Sequence, residues 1–430
     1  MAAPLERLRE LGIVAIYRGH SPNCSSAGSV IGAALLGLGA AGILVNFWAD
    51  RLLQWRRNPS GTGRSEPDGG QTVDLGGARL RLQAPPDAPT ETRPGAPLEV
   101  HLSLGRRCPA RCTACYQDAG PEQPEVARDL IAELDQIAQL GAFEVAFGGG
   151  EVSLRPDLVA LCAAARARGL VPNFTSSGFG ISAELAGALA PFVGQVNISL
   201  DGVGGVSAQV RGWDGTRLAL VAIQHLVDAG VRVGVNTVLS QPLLATPNAL
   251  EELGATLARV GVAEWQWLRF KPVGRGAAED ARLAPEARLL AQIWPRALQV
   301  EAQTGLRLRW DCALMPFLVD QGLEPELLGR LGLRGCPGGK DLLAIDAEGR
   351  ASPCSFAAPE GVEREIGATW AEAPGLARWR ASPPVGPCVA CELQPVCRGG
   401  CKVVSQHRLG DLFAPDPDCP RVIAHGANHA

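Results

Sequence analysis

The sequence predicts an α/β fold, with parallel strands joined by helical crossovers, followed by a small cysteine-rich domain. Two observations predict it. From Leu98 onward, six strand-like segments recur at intervals of roughly 25 to 40 residues with helical stretches between them. Beyond about Trp310 that rhythm gives way to a tail rich in Cys, Gly and Pro. Strands alternating with helices imply right-handed crossovers, in an open doubly wound sheet or a partial barrel. In both, chemistry belongs at the C-terminal ends of the strands.

Composition bounds the function. The chain has 430 residues, 46% of them hydrophobic, and a formal net charge of -4. The 52 Gly and 33 Pro follow no triplet period, which excludes collagen. A near balance of 40 basic and 44 acidic residues excludes a dedicated nucleic-acid binder, which carries a basic stripe against phosphates. The 13 cysteines are odd in number, and the chain is too long to need disulfide staples. Metal ligation or thiol chemistry is the leading explanation.

Residues 1–57 form an N-terminal segment in which 27–48 carry no charge, long enough to cross a bilayer as a helix. Arg51, Arg56 and Arg57 follow it and favour a cytoplasmic C-terminal side. Ala33, Gly37 and Ala41 give a small-residue face suited to close helix packing. A membrane anchor, a buried or partner-binding amphiphile and a fused leader-like peptide all fit. The expected location is the cytoplasm, with or without anchoring through 27–48. Residues 58–96 read as a Pro/Gly-rich linker, within which TVDLGGARLRL alternates around Gly76 and Gly77 and predicts a small hairpin. The strands then follow as LEVHLSL, FEVAF, VPNFT, QVNISL, VRVGVNTVL and EWQWLRF. Amphipathic stretches such as GTRLALVAIQHLVDAG and ALEELGATLARVG separate them.

Immediately after the first strand, GRRCPARCTACY spaces Cys108, Cys112 and Cys115 as C-x3-C-x2-C. Three thiolates on one loop can hold three irons of a cubane cluster and leave the fourth open. Zinc would need another ligand, for which the neighbourhood offers only His101 on the preceding strand. The second strand ends in Gly148, Gly149, Gly150 and Glu151, a run that lets backbone approach a ligand closely.

Together these motifs resemble the radical S-adenosylmethionine superfamily over about Leu98 to Gly276. The resemblance implies a partial (β/α)6 barrel and a 4Fe-4S cluster on Cys108, Cys112 and Cys115, with Tyr116 as the aromatic that follows. It implies that Gly148, Gly149, Gly150 and Glu151 meet the amino end of S-adenosylmethionine. Thr175, Ser176 and Ser177 occupy the third strand end; Ser199 and Asp201 match ribose- and carboxylate-facing positions; Arg211 resembles a basic residue near the cofactor carboxylate. Asn236 and Pro272 to Arg275 resemble fifth- and sixth-strand contacts. Ala114 and Val152 depart from the family's usual aromatic and Pro.

The tail is similar to the seven-Cys SPASM extension of peptide-modifying radical enzymes. It carries Cys336, Cys354, a C-x2-C-x5-C-x3-C run at Cys388, Cys391, Cys397 and Cys401, and Cys419. By that resemblance Cys388, Cys391, Cys397 and Cys419 hold one auxiliary cluster. Cys336, Cys354 and Cys401 hold another, with Cys312 a candidate fourth ligand. The implied cofactors are S-adenosylmethionine and three 4Fe-4S clusters, and the implied division is a catalytic domain over 97–305, a SPASM domain over 306–420 and a tail over 421–430. Cys162 reads as a core residue, and Cys24 has no assigned partner.

The resemblance implies reductive cleavage of S-adenosylmethionine to a 5′-deoxyadenosyl radical, which abstracts hydrogen from the substrate. Modification or crosslinking of a ribosomally made peptide is the first expectation, with a flavodoxin or ferredoxin as electron donor. Small-molecule or quinone-cofactor biosynthesis is the alternative, and a non-catalytic metal-binding or electron-transfer protein the reading from another class. Sulfatase maturation is disfavoured, because Ser355 follows Cys354 where those enzymes carry an Asp base. Asp311, beside Cys312, is the candidate proton acceptor.

Overall fold

The computed structural model describes residues 13–17, 63–65, 71–74, 79–82, 95–124, 127–319, 335–359 and 365–427. Residues 27–48 lie outside this set, as does Cys24. Among the described residues no helix is long and apolar enough to cross a membrane.

In the N-terminal unit, strands β1 (Ile13–Tyr17), β2 (Gly63–Ser65), β3 (Gln71–Asp74) and β4 (Arg79–Leu82) form an antiparallel sheet in the order β1-β4-β3-β2. The hairpin expected around Gly76 and Gly77 is β3–β4, with Thr72 opposite Arg81 and Val73 opposite Leu80. The segment read as linker therefore contributes three of the four strands, because its short alternating runs find ladder partners within it and in β1.

The second unit spans 96–321 and 335–430. Its sheet begins with β5 (Glu99–Ser103), β6 (Glu144–Gly148), β7 (Val171–Ser176), β8 (Val196–Ser199), β9 (Val233–Leu239) and β10 (Glu264–Arg269). These are the six expected strands, all parallel and side by side in chain order. A doubly wound sheet reverses its order at a switch point; this one does not, which leaves the partial barrel. Three further strands extend it. β11 (Leu308–Trp310) adds beyond β10, and β12 (Leu342–Ile345) pairs with β5, parallel in both cases. β13 (Ala351–Ser352) then runs antiparallel to β12, and the nine strands do not close.

The crossover helices form where apolar residues recur at helical spacing. In α1 (Leu130–Leu140) the buried set is Leu130, Leu134 and Ile137; Asp129 caps its start by accepting from Ala132 N at 3.0 Å, and Gly141 ends it at φ 87°. α2 (Leu158–Ala167) buries Leu158, Leu161, Cys162 and Ala165, so Cys162 is a core residue, 0% exposed. α3 (Ala183–Leu189), α4 (Gly205–Arg211), α5 (Thr216–Asp228) and α6 (Ala249–Arg259) repeat the arrangement. Against their faces lie Val100, Leu102, Val145, Phe147, Phe174, Ile198 and Val235, all 2% exposed or less.

The tail has more apolar core than its composition suggests. α7 (Ile366–Glu372) and α8 (Pro374–Ala381) bury Trp370, Leu376 and Trp379. α9 (Lys402–Leu409) adds Val403 and Val404, which pack around Cys401 with Cys336, Cys354 and Phe356.

Candidate active site

The loop after β5 is fastened along its length. Cys108 N donates to Gly120 O at 3.1 Å, and Thr113 N donates to Arg211 O at 3.1 Å. Arg275 holds it from the β10 side: its backbone N donates to Cys115 O at 3.0 Å, Nε to Cys112 O at 2.9 Å and Nη2 to Ala119 O at 2.8 Å. Gly274 sits at φ +58°, and a Cβ there would stand 2.6 Å from the carbonyl oxygens of Cys115 and Tyr116. The glycine is what lets KPVGRG lie against the loop.

Cys108, Cys112 and Cys115 gather beside Ala110, Ala119, Phe179 and Trp213. Burial pushes the Cys108 thiol up to about 11; the backbone N–H of Ala110 offsets part of this, while Glu151 and the other two thiols add to it. Trp213 Nε1 donates to Cys112 Sγ at 3.2 Å. One buried and two half-buried thiols on one loop are a donor set that ionises on binding a cationic centre.

The glycine run divides by role. A Cβ on Gly148 would meet nothing within 4 Å, whereas on Gly149 it would stand 2.1 Å from Gly105 O and on Gly150 2.1 Å from Arg107 O. Gly150 N donates to Gly105 O at 2.8 Å and Glu151 N to Arg107 O at 2.9 Å. Gly149 and Gly150 therefore seat the cysteine loop, and only Gly148 leaves open space beside the strand end. The Glu151 carboxylate is 4% exposed and accepts from Ser153 Oγ at 2.7 Å and from Ser177 N at 2.8 Å.

The remaining strand ends complete a polar rim. Ser176 Oγ accepts from Gly178 N at 2.8 Å, and Thr175 lies in register with Asn197 of β8. Asp201 accepts from Arg211 Nε at 2.6 Å and from Val238 N at 2.7 Å, and Arg211 Nη1 reaches Ser177 Oγ at 3.4 Å. Burial opposes the Arg211 charge, yet Asp201, with Cys112 and Glu151, holds its pKa above the ordinary value. Asp201 thus orients Arg211. Asn236 stands in register with Ser199, and its Oδ1 is buried with no hydrogen-bond partner. Such an oxygen asks for a donor, which the ammonium or a ribose hydroxyl of S-adenosylmethionine would supply.

Two further thiol groups assemble in the tail. Burial, then Cys336 and Cys401, push Cys354 up to about 12, and Cys312 rises under burial, Asp311 and Cys336. Cys312, Cys336, Cys354 and Cys401 thus share one neighbourhood. The other group lines a single pocket: Cys388, Cys391, Cys397 and Cys419, beside Asp416 and Arg421. Burial raises Cys388, with Cys419 and Cys391 next; it pushes Cys397 up to about 12, with Cys419 next. Each group receives an N–H toward sulfur, from Trp379 Nε1 to Cys336 at 3.3 Å and from Arg421 Nη1 to Cys391 at 3.8 Å. Among the described residues every cysteine is free, and no three His, Cys, Asp or Glu converge on one metal-ion site.

Asp311 is not placed as a proton acceptor. It is 8% exposed, paired with Lys271, and accepts from Arg269 N at 3.1 Å and Ala313 N at 3.2 Å. Burial raises its pKa, but Lys271 and these donors outweigh it and hold the carboxyl below its ordinary value. Sequence reasoning missed Trp213, Trp379, Lys271, Arg269 and Asp416, and gave His101 no role beyond a zinc alternative. Arg269 Nη2 donates to Asp416 Oδ1 at 2.9 Å and Asp418 Oδ2 at 2.7 Å, while Asp416 Oδ2 accepts from Cys401 N at 2.9 Å. His101 Nδ1 lies 2.7 Å from Ser355 Oγ, and its Nε2 is 3.3 Å from Glu99. Tyr116 packs on Phe356 with ring centroids 4.5 Å apart.

A family model described as Radical SAM superfamily matches residues 102–242, the span that carries the cysteine loop, the glycine run and strands β6 to β9. Over these residues the chain is similar to the radical S-adenosylmethionine superfamily. Among curated relatives, mycofactocin maturase MftC of Mycolicibacterium smegmatis is 29% identical over 343 residues, covering 75% of this chain and 83% of the relative. PqqA peptide cyclase of Ruegeria pomeroyi is 28% identical over 364 residues, 79% and 91% respectively. In fold, the chain is similar to Streptococcus suis SuiB bound to precursor peptide SuiA, with a TM-score of 0.64 at 17% identity over 76% of each chain. Native anSMEcpe with bound AdoMet and a Cp18Cys peptide gives a TM-score of 0.59 at 15% identity, covering 77% of this chain and all of that one.

Proposed function

We propose that this radical S-adenosylmethionine enzyme oxidatively modifies or crosslinks a ribosomally made peptide, using a S-adenosylmethionine cluster on Cys108, Cys112 and Cys115 and two auxiliary 4Fe-4S clusters. The observation that carries the auxiliary half is the gathering of the tail thiols into two groups of four, next to a strand that pairs with β5. Cys336, Cys354, Cys401 and Cys312 form one ligand set, and Cys388, Cys391, Cys397 and Cys419 the other. The peptide assignment draws on the relatives, named for maturation of mycofactocin and for cyclisation of the PqqA peptide.

When bound and reduced, the cluster and cofactor supply a 5′-deoxyadenosyl radical that removes hydrogen from an unactivated position. The chain's part is to hold and shield. Arg275 and Gly150 fix the loop; Glu151, after β6, and Arg211, at the end of α4, offer an acceptor and a donor for the amino and carboxylate groups; Asn236 and Ser199 face the ribose. Asp201 holds Arg211 charged and aimed. A flavodoxin or ferredoxin class protein delivers the electron.

Anaerobic reconstitution with iron and sulfide tests this reading. Incubation with candidate precursor peptides should yield a product lighter by two hydrogens per bond formed, and an uncoupled enzyme that leaves every peptide unchanged while converting a small molecule selects quinone-cofactor or small-molecule biosynthesis instead.

A further inference from the structure

Between the cysteine loop and the first tail thiol group lies a buried charge pair that the reaction as described does not use. Lys271, two residues past the end of β10, is 9% exposed and Asp311 is 8% exposed; the two are ion-paired. Lys271 Nζ is pinned over the Phe356 ring, 4.5 Å from its centroid, and lies 3.5 Å from Arg269 O. Burying such a pair costs several kcal/mol of desolvation per ion, so an apolar pair of the same volume would serve packing as well.

The pair is also oriented. The positive end acts on Cys354, Cys401 and Cys312, whose thiolates Lys271 stabilises. The negative end faces Cys312, whose Sγ donates to Asp311 Oδ1 at 3.4 Å. Arg269, another cation acting on Cys401, is already matched by Asp416 and Asp418. Lys271 has a single carboxylate partner, Asp311, whose other oxygen accepts from Cys312 Sγ.

We propose that the Lys271–Asp311 pair sets the electron affinity of the Cys336–Cys354–Cys401–Cys312 centre, Lys271 raising it and Asp311 lowering it. The inference rests on the reading that these thiols hold an iron–sulfur cluster. Adding an electron makes a cluster more negative, so a fixed cation favours the reduced form and a fixed anion the oxidised form. A unit charge at roughly 10 Å in a medium of effective dielectric about 20 changes a one-electron equilibrium on the order of tenfold. That is 59 mV for one electron.

The test is a potentiometric titration of the reconstituted full chain followed by electron paramagnetic resonance, with this centre identified as the signal lost in Cys401→Ala. Lys271→Met is expected to lower the midpoint and Asp311→Asn to raise it, each by about tenfold in the reduced-to-oxidised ratio at fixed potential. Lys271→Arg, which keeps the charge, should leave the midpoint near the wild type. Iron analysis accompanies every variant. A wild-type chain without iron at these thiols refutes the cluster reading. Full iron with unchanged midpoints, or with both variants moving the same way, refutes the proposal. Should Lys271→Met fail to retain iron, the sign of the Asp311→Asn shift decides, and a midpoint at or below the wild type overturns the idea. Loss of iron from both variants assigns the pair a structural role and overturns it too.

Discussion

Replacing Gly150 by alanine tests whether the glycine run serves the loop or the ligand. A Cβ there would lie 2.1 Å from Arg107 O and 2.6 Å from Arg107 C, well inside the 3.4–4 Å of ordinary contact. Both obstacles are backbone, so no side chain can turn aside. Relief requires separating the strand end from the loop, which breaks the Gly150–Gly105 and Glu151–Arg107 hydrogen bonds. Two such bonds at about 0.5–1.5 kcal/mol each give a loss of about 1–3 kcal/mol. Gly148→Ala meets nothing within 4 Å and sits in a strand, where alanine is favoured over glycine by roughly 0.5–1 kcal/mol. Urea unfolding of the metal-free full chain reads the difference without any ligand. Gly150→Ala should lower the midpoint and retain less iron on the cysteine loop after reconstitution, while Gly148→Ala should keep or slightly raise the midpoint, keep the iron and weaken S-adenosylmethionine binding. A Gly150→Ala protein as stable and as iron-replete as the wild type would refute the assignment of this glycine to the loop.

Other perturbations follow from the same geometry. Trp213→Phe keeps the ring contact with Phe179 but removes the N–H toward Cys112, and should lower the midpoint potential of the loop cluster in a redox titration. Asp416→Ala strips the 3% exposed Arg269 of its main partner and frees Cys401 N; about 3–5 kcal/mol of stability should go, measured by chemical denaturation, less whatever Asp418 recovers. His101→Ala removes the bond to Ser355 and should cost about 0.5–1.5 kcal/mol in the same assay. Burial pushes Cys162 up to about 12, so its thiol should resist alkylation at pH 8.5 until the chain is denatured, as mass spectrometry of labelled peptides would show. In the metal-free chain Cys108, near 11, and Cys354 and Cys397, near 12, favour the folded state while protonated. That stability is complete below the ordinary thiol value of 9.0 and drains away as pH rises toward 11–12.

The six strands β5 to β10 are legible because short apolar-rich runs recur between helical stretches and each strand's neighbours are the next strands in the chain. β12 and β13 are not, since four- and two-residue strands among Gly and Pro carry no period, and only pairing with β5 and with each other makes them strands. The cysteine sets are legible as spacing. What spacing cannot give is the company the thiols keep: His101 and Ser355 are 254 positions apart, and Arg269 and Asp416 147. Asp311 stood out for its neighbour Cys312, yet its chemistry is decided by Lys271, 40 positions upstream. Gly149 and Gly150 looked like ligand glycines because a run at a strand end has that look; the loop folding back onto them is a tertiary fact.

The central claim is that Cys108, Cys112 and Cys115 carry a centre that splits S-adenosylmethionine. The direct measurement is anaerobic reconstitution of the full chain followed by reduction in the presence of S-adenosylmethionine, with iron and 5′-deoxyadenosine quantified for the wild type and Cys112→Ala. A brown protein holding about twelve irons, releasing 5′-deoxyadenosine only when Cys112 is present, is the predicted result. A colourless, zinc-loaded chain that releases none, or release that survives Cys112→Ala, would contradict it.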